Sequence, residues 1–341
     1  MTKKIVFCAD GTWNHPHRSA EVRGQDTNVV KLFRSLIAQD GVQLPFYDKG
    51  VGTSQLPVEH LLGGIFGDGL FQKIRDGYRD IARHYEAGDE LYIFGFSRGA
   101  YTARSLAGMI AICGLPIRNN TMFPVDTAFQ AYRNKNQRQA ILASLSTYGL
   151  FDAKITMLGV WDTVGTLGIP GAFGDARFNY GFLDTSLHVD VLSAYHALSI
   201  DERRREFPPT LWTGPPATGQ MVEQVWFAGV HSDVGGGYEE TALSDIALSW
   251  MLNKAVGRGL LVRSDAIARY GTMDPAYALG TIHESWHFWW LPFKRRDIPD
   301  NAVIANGVNQ RIQGNVGYHP PNLKYDLSGP LASGYGSEKV V

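Results

Sequence analysis

Cysteine is scarce. The 341 residues hold two, Cys8 and Cys113, too few for the paired framework of a small secreted protein. Each sits in an apolar context, and both are expected as buried free thiols. An excess of one charge is also missing: 32 Lys and Arg stand against 33 Asp and Glu, a formal net charge of −1. That gives no reason to expect nucleic acid as a partner, because phosphate binding calls for surplus cations. No apolar run approaches the ~20 residues that span a bilayer. The N-terminal "MTKKIVFCADGTWN" meets Asp10 almost at once and does not read as a secretory signal. The expectation is a soluble protein made in the cytoplasm, with export by a signal-independent route left open. Repeats and low-complexity tracts are lacking too, and the 44% hydrophobic and 19% charged content argues against long disorder.

What is abundant is glycine, at 38 residues, and it falls between strand-like and helix-like stretches. Residues 5–9 form a first apolar strand closed by "DGTWN". "DTNVVKLFRSLIAQD" starts a helix capped by Asp26 or Thr27, with Val30, Phe33, Leu36 and Ile37 on one face. A second strand is expected around "VQLPFYDKGVGT". Leu70, Ile74, Tyr78, Ile81 and Tyr85 then repeat at helical spacing until Gly88-Asp89. "ELYIFGF" and "AKITMLGVWDTVGT" read as buried parallel strands, as does the start of "EQVWFAGVHSDVGGGY". "TALSDIALSWMLNKAVGRG" reads as an amphipathic helix. Residues 116–150 and 165–222 are expected as insertions, the first mostly helical, that cap the site, and 260–341 as an irregular aromatic-rich part of one domain spanning 1–341. Alternating buried strands and helices imply an α/β fold with a mostly parallel, doubly wound sheet. Chemistry in such sheets lies beyond the carboxyl ends of the strands. Four expected strands end at Asp10-Gly11-Thr12, Ser97, Asp162 and His231, so the topology would gather these groups at one edge.

"GFSRG", residues 95–99, fits the G-x-S-x-G nucleophile elbow, with a buried strand before it and a helix after it. Its glycines are needed because a side chain at Gly95 or Gly99 would clash with the neighbouring strand and helix. Its serine would be lifted clear of the sheet at a helix N-terminus. A serine hydroxyl needs a base, and the base an orienting carboxylate. Asp162 and His231 follow in the order this fold uses, with His196, His283 and His319 as competing bases. An oxyanion hole would take the N–H of Arg98 and one from Gly11 or Thr12. Asp10 would hold that loop, and Asp233 would anchor the loop around the glycines at 235–237. Acyl transfer of this kind needs no cofactor and no metal. Two alternatives use the same residues differently. Asp10, Asp162, His231 and Asp233 would bind a divalent metal in a phosphoesterase with Ser97 as a phosphate contact, or the fold would bind a partner without turnover.

Taken together, "DGTWN", "TNVVKL", "YDKGVGT", "GFSRGAYTAR", "GVWDTVG", "HALSIDERRREFPPTLW" and "WFAGVHSDVGGGY" resemble the bacterial and fungal α/β-hydrolase family related to type VI secretion lipase effectors of the Tle1 class. The resemblance runs from residue 10 to about 252. It implies a Ser-Asp-His esterase or lipase, with Ser97, Asp162 and His231 on the matching positions, and phospholipids as the substrates of effector members. "HESWHFWWLPFKRR", residues 283–296, sets aromatics beside basic residues. That composition suits either peripheral membrane contact, an acyl groove or a packed core element. "IDERRREF", residues 200–207, reads as a solvated charge run or salt-bridge cluster, and as a phosphate contact in the minority reading.

Overall fold

Strand β1 (Lys4–Ala9) alternates its side chains between two layers: Val6 and Cys8 enter one core, and Ile5, Phe7 and Ala9 the other. A strand covered on both faces must be apolar throughout, which is why residues 5–9 form a continuous run. β3 (Glu90–Phe96) behaves alike, with Tyr92, Phe94 and Phe96 on one side and Leu91 and Ile93 on the other. The computed structural model describes residues 2–11, 25–50, 65–117, 122–164, 186–205, 207–285, 293–314, 317–326 and 331–341.

The remaining strands are β2 (Gln43–Asp48), β4 (Leu115–Pro116), β5 (Leu150–Phe151), β6 (Ile155–Trp161), β7 (Ser193–Ser199), β8 (Met221–Phe227), β9 (Val303–Ala305) and β10 (Gly336–Glu338). Eight of them form one sheet in the order β10-β9-β8-β7-β6-β3-β1-β2, and every pairing in it is parallel. The chain starts inside the sheet, steps outward to β2, returns to β3 and then runs steadily the other way. The order therefore reverses beside β1, and the carboxyl ends of β1 and β3 flank that switch point, where ligands bind in open sheets.

Helices cover both faces. α1 (Asn28–Ser35) and α7 (Ala242–Gly257) lie on one, and α2 (Ile65–His84), α3 (Arg98–Cys113) and α4 (Val125–Arg133) on the other. Thr27, not Asp26, caps α1: its hydroxyl accepts the Val30 N–H at 3.2 Å. Asn28 is buried in the first turn and donates to the carbonyls of Val234 and Ser244 at 2.9 and 2.8 Å, tying α1 to the chain around α6 (His231–Gly235) and α7. Leu70, Ile74, Tyr78, Ile81 and Tyr85 are all buried. Both cysteines are buried and free. Among the described residues no helix is long and apolar enough to cross a membrane.

The sequence expectations fail in three places. Residues 165–222, read as an insertion, contain β7, which lies between β6 and β8 in the middle of the sheet. Ser193, His196 and Ser199 interrupt its apolar run, yet all seven residues are buried. Each of the three polar side chains has a hydrogen-bond partner on β6 or just after it, so the strand can bury them. α7 is not amphipathic: Leu243 to Leu252 are all buried, because the helix is packed against α1, α6 and the sheet. The part beyond 260 adds α8 (Ser264–Tyr270), α9 (Asn306–Gly314) and the strands β9 and β10, which extend the sheet. Around 116–150 lie α4, α5 (Arg138–Leu145) and the antiparallel pair β4–β5.

The elbow glycines follow from this packing. A Cβ on Gly95 would lie 2.4 Å from the Gly99 carbonyl oxygen, and one on Gly99 would lie 2.2 and 2.5 Å from the carbonyl oxygens of Ala9 and Asp10. Main chain cannot swing aside as a side chain can. Gly99→Ala is therefore expected to lower the unfolding free energy by about 1–3 kcal/mol, measured by denaturant titration. Gly257→Ala, whose methyl meets nothing within 4 Å, serves as the control. Equal stability of Gly99→Ala and wild type would rule out the close approach.

Candidate active site

Ser97 stands between β3 and α3 with φ 59° and ψ −121°, a conformation that costs a non-glycine residue on the order of 1–3 kcal/mol. The turn is held because the Ser97 N–H donates to the Trp161 carbonyl at 3.0 Å, continuing the β3–β6 ladder into the bend. Trp161 ends β6, and the next residue, Asp162, also has positive φ, at 42°. Its N–H reaches across to the Ala197 carbonyl at 2.7 Å. Two adjacent strands thus end in bent residues whose side chains leave the sheet together.

His231 opens α6 just after β8, and its ring meets both. The Ser97 hydroxyl lies 2.8 Å from His231 Nε2, and His231 Nδ1 lies 2.5 Å from Asp162 Oδ2. A carboxylate only accepts, so Nδ1 carries the proton and Nε2 is left to accept from the serine. The rings of Phe96 and Phe207 pack against the imidazole, with centroids at 4.7 and 5.2 Å. Burial lowers the His231 pKa below the ordinary imidazole value, against the opposing pull of Asp162. Burial pushes the Asp162 carboxyl up, but Arg296 and His231 more than offset it and hold it well below the usual carboxylate range.

The carboxylate of Asp162 is fully buried and has further partners. Ser199 N–H donates to Oδ1 at 3.0 Å, and Arg296 donates to Oδ1 at 2.5 Å and to Oδ2 at 2.8 Å. Arg296 is the residue sequence reasoning missed. It lies 134 positions from Asp162 in a stretch read only as the basic end of an aromatic segment, and no local spacing points to it. Trp286, Phe288, Trp289 and Trp290 of that segment fall outside the described residues, whereas Phe293 is exposed.

The other candidates separate by what they touch. Asp10 accepts from the Gly11 N–H at 2.6 Å, the Thr27 hydroxyl at 2.8 Å and the Tyr47 hydroxyl at 2.7 Å, so it anchors the end of β1. The Gly11 N–H is thereby directed at Asp10 and not at a substrate, which corrects its expected place in an oxyanion hole. Thr12 lies outside the described residues. Arg98 is the first residue of α3, directly after Ser97. Asp233 accepts from the N–H groups of Val230 and His283 and pairs with His283 Nδ1 at 2.6 Å. His283 is thus held by Asp233, and His319 stacks on Tyr325. His196 is sealed inside β7, where its Nε2 accepts the Thr163 N–H at 3.1 Å.

The metal alternative required Asp10, Asp162, His231 and Asp233 to converge. They fall into three separate hydrogen-bonded groups, and among the described residues no three His, Cys, Asp or Glu side chains are arranged to hold a metal ion. In the charge run at 200–207 the salt-bridge reading fits Glu202, which is buried, whereas Arg205 is exposed. The Glu202 carboxylate accepts from Arg204 Nε and Nη2 at 2.9 Å each, from the Ser285 hydroxyl and from the His231 N–H at 3.2 Å. Burial raises the Glu202 carboxyl, but Arg204 with His231 and Arg296 brings it down to about 2.

Residues 3–254 match the family described as T6SS, phospholipase effector Tle1-like, catalytic domain. An uncharacterized protein of Saccharomyces cerevisiae is 31% identical over 239 residues, 63% of this chain and 33% of that protein. An uncharacterized protein from Pseudomonas aeruginosa, of known crystal structure, shares the fold with a TM-score of 0.50 and 19% identity, over 81% of this chain and 50% of that one. A Tle1 effector solved bound to the VgrG spike of the type 6 secretion system gives a TM-score of 0.37 and 19% identity, over 70% of this chain and 52% of that one. The chain thus spans a third of the yeast protein's length and about half of each of these two structures. On the match across residues 3–254, the chain belongs to the T6SS phospholipase effector Tle1-like catalytic-domain family.

Proposed function

We propose that this chain is a serine carboxylic-ester hydrolase acting on lipid esters. Ser97 Oγ attacks the ester carbonyl while His231 Nε2 takes its proton, and the new C–O bond gives a tetrahedral oxyanion. The N–H of Arg98, the first residue of α3, donates to that oxygen. His231 then returns the proton to the departing alcohol as the C–O bond to it breaks. Water, activated by the same imidazole, releases the carboxylic acid from the acyl-serine. Asp162 holds the ring in the required tautomer and balances the imidazolium.

The observation that carries this reading is the run of two hydrogen bonds from Ser97 through His231 to Asp162. Family membership supports a lipid ester as the substrate class.

A fluorophosphonate probe should label the wild-type protein and fail to label Ser97→Ala, and turnover of p-nitrophenyl butyrate should fall at least ~10³-fold in the variant. Labelling or turnover that survives Ser97→Ala would remove the nucleophile. The pH profile supplies an independent check. His231 works as the neutral base, and burial sets its pKa below the ordinary imidazole value, with Asp162, Arg204 and Glu202 as the charged groups facing it. Turnover is therefore complete at neutral pH and lost as pH falls through that lowered pKa, putting the acid limb of kcat/KM below about 6.5. An acid limb at or above neutrality would contradict this assignment.

A further inference from the structure

The carboxylate of Asp162 has no exposed surface, and an ionised carboxylate in such a place needs a compensating charge. His231 cannot provide it in the resting protein, where the neutral ring offers one N–H and no charge. Arg296 can. Its guanidinium is buried beside the carboxylate, and each terminal nitrogen directs one hydrogen at Asp162 and one at a main-chain carbonyl. Nη1 bridges Oδ1 and the Ser199 carbonyl at 2.5 and 3.0 Å, and Nη2 bridges Oδ2 and the Phe207 carbonyl at 2.8 and 3.0 Å. The fork therefore fixes the plane of the carboxylate as well as its charge. Arg296 is itself held from behind: Asn322 Nδ2 donates to its carbonyl at 3.2 Å and to that of Ile200 at 3.0 Å. The neighbouring chain is docked by the Lys294 N–H on the Arg203 carbonyl at 2.9 Å.

We infer that Arg296 is a positioning residue of this site, which keeps Asp162 ionised and aimed at His231 and acts on Ser97 only through that pair. The inference rests on the proposed hydrolase reading. It also assigns a working role to residues beyond 254, where the family match ends. The groups facing the pair are Ser97 from the β3–α3 turn, Ser199 from β7, Glu202 and Arg204 from the loop after β7, and Arg296 from 293–298. Of these, Arg296 alone brings a charge opposite to that of Asp162 into contact with its carboxylate in the resting protein, among the described residues.

A sign follows. Without Arg296 the Asp162–His231 pair carries an unbalanced negative charge and takes up a proton more readily. Arg296→Met should therefore move the acid limb of kcat/KM to higher pH, while kcat falls about 10- to 100-fold from lost alignment and KM changes by less than about threefold. Arg296→Lys keeps the charge without the fork, so its acid limb should stay near wild type while kcat is only partly restored. Wild-type kcat with an unmoved limb in Arg296→Met overturns the inference, as does a loss carried entirely in KM.

If Arg296→Met does not fold, Arg296→Lys decides by itself: full wild-type kcat excludes positioning by the fork, and reduced kcat at an unmoved limb supports it. A wild-type protein inactive on every ester would defeat the hydrolase reading instead. In that event the His231 ring titration, followed by NMR in wild type and in whichever of the two variants folds, still tests Arg296. An upward shift of the imidazole pKa in Arg296→Met supports the placement, and none refutes it. In Arg296→Lys an unmoved pKa supports charge compensation, and an upward shift refutes it.

Discussion

Gly99 lies so close to the carbonyl oxygens of Ala9 and Asp10 that no side chain fits between them, and this contact sets where Ser97 can stand. With α3 pressed onto the end of β1, the chain leaving β3 has to reverse within one residue. The reversal is what gives Ser97 its positive φ. The same contact fixes Asp10, whose carboxylate ties the end of β1 to Thr27 at the start of α1 and to Tyr47 near the end of β2. Main chain against main chain is a stiff reference. The distances at the site can be short because the elements carrying them are not free to slide.

Stiffness on one side is matched by polar density on the other. Asp162, Glu202 and Asp233 are buried carboxylates within or next to the site, and each has a charged or imidazole partner together with main-chain N–H donors. Asp162 is paired with His231 and Arg296, Glu202 with Arg204, and Asp233 with His283. Buried ions of this kind add little to stability compared with apolar replacements. Their value is directional: every carboxylate has its oxygens assigned, so the imidazole has one place to be.

The sequence carried most of the frame and the central part of the site. Strands buried on both faces write themselves as unbroken apolar runs, so β1, β3, β6 and β8 were legible, and so was the convergence of Ser97, Asp162 and His231 at their carboxyl edge. β7 was not, because Ser193, His196 and Ser199 look like loop residues until the partners that bury them are known. α7 looked amphipathic because Ser244, Asp245 and Ser249 imitate a wet face, although all three are buried. Arg296 was illegible for a different reason. Its role depends on a pairing across 134 residues, and periodicity, capping and turn chemistry act over a few residues only. The Gly11 N–H was misassigned since a loop's spacing does not reveal which acceptor its amide faces.

The distance in sequence between Asp162 and Arg296 also orders events in time. A ribosome adds about 5–20 residues per second, so Ser97, Asp162 and His231 all leave it before Arg296 has been made. A chain arrested anywhere between His231 and Arg296 would carry the three side chains of the proposed relay without the guanidinium that settles their acid. Assembly of the proposed relay with its compensated acid is then coupled to synthesis of the chain as far as Arg296.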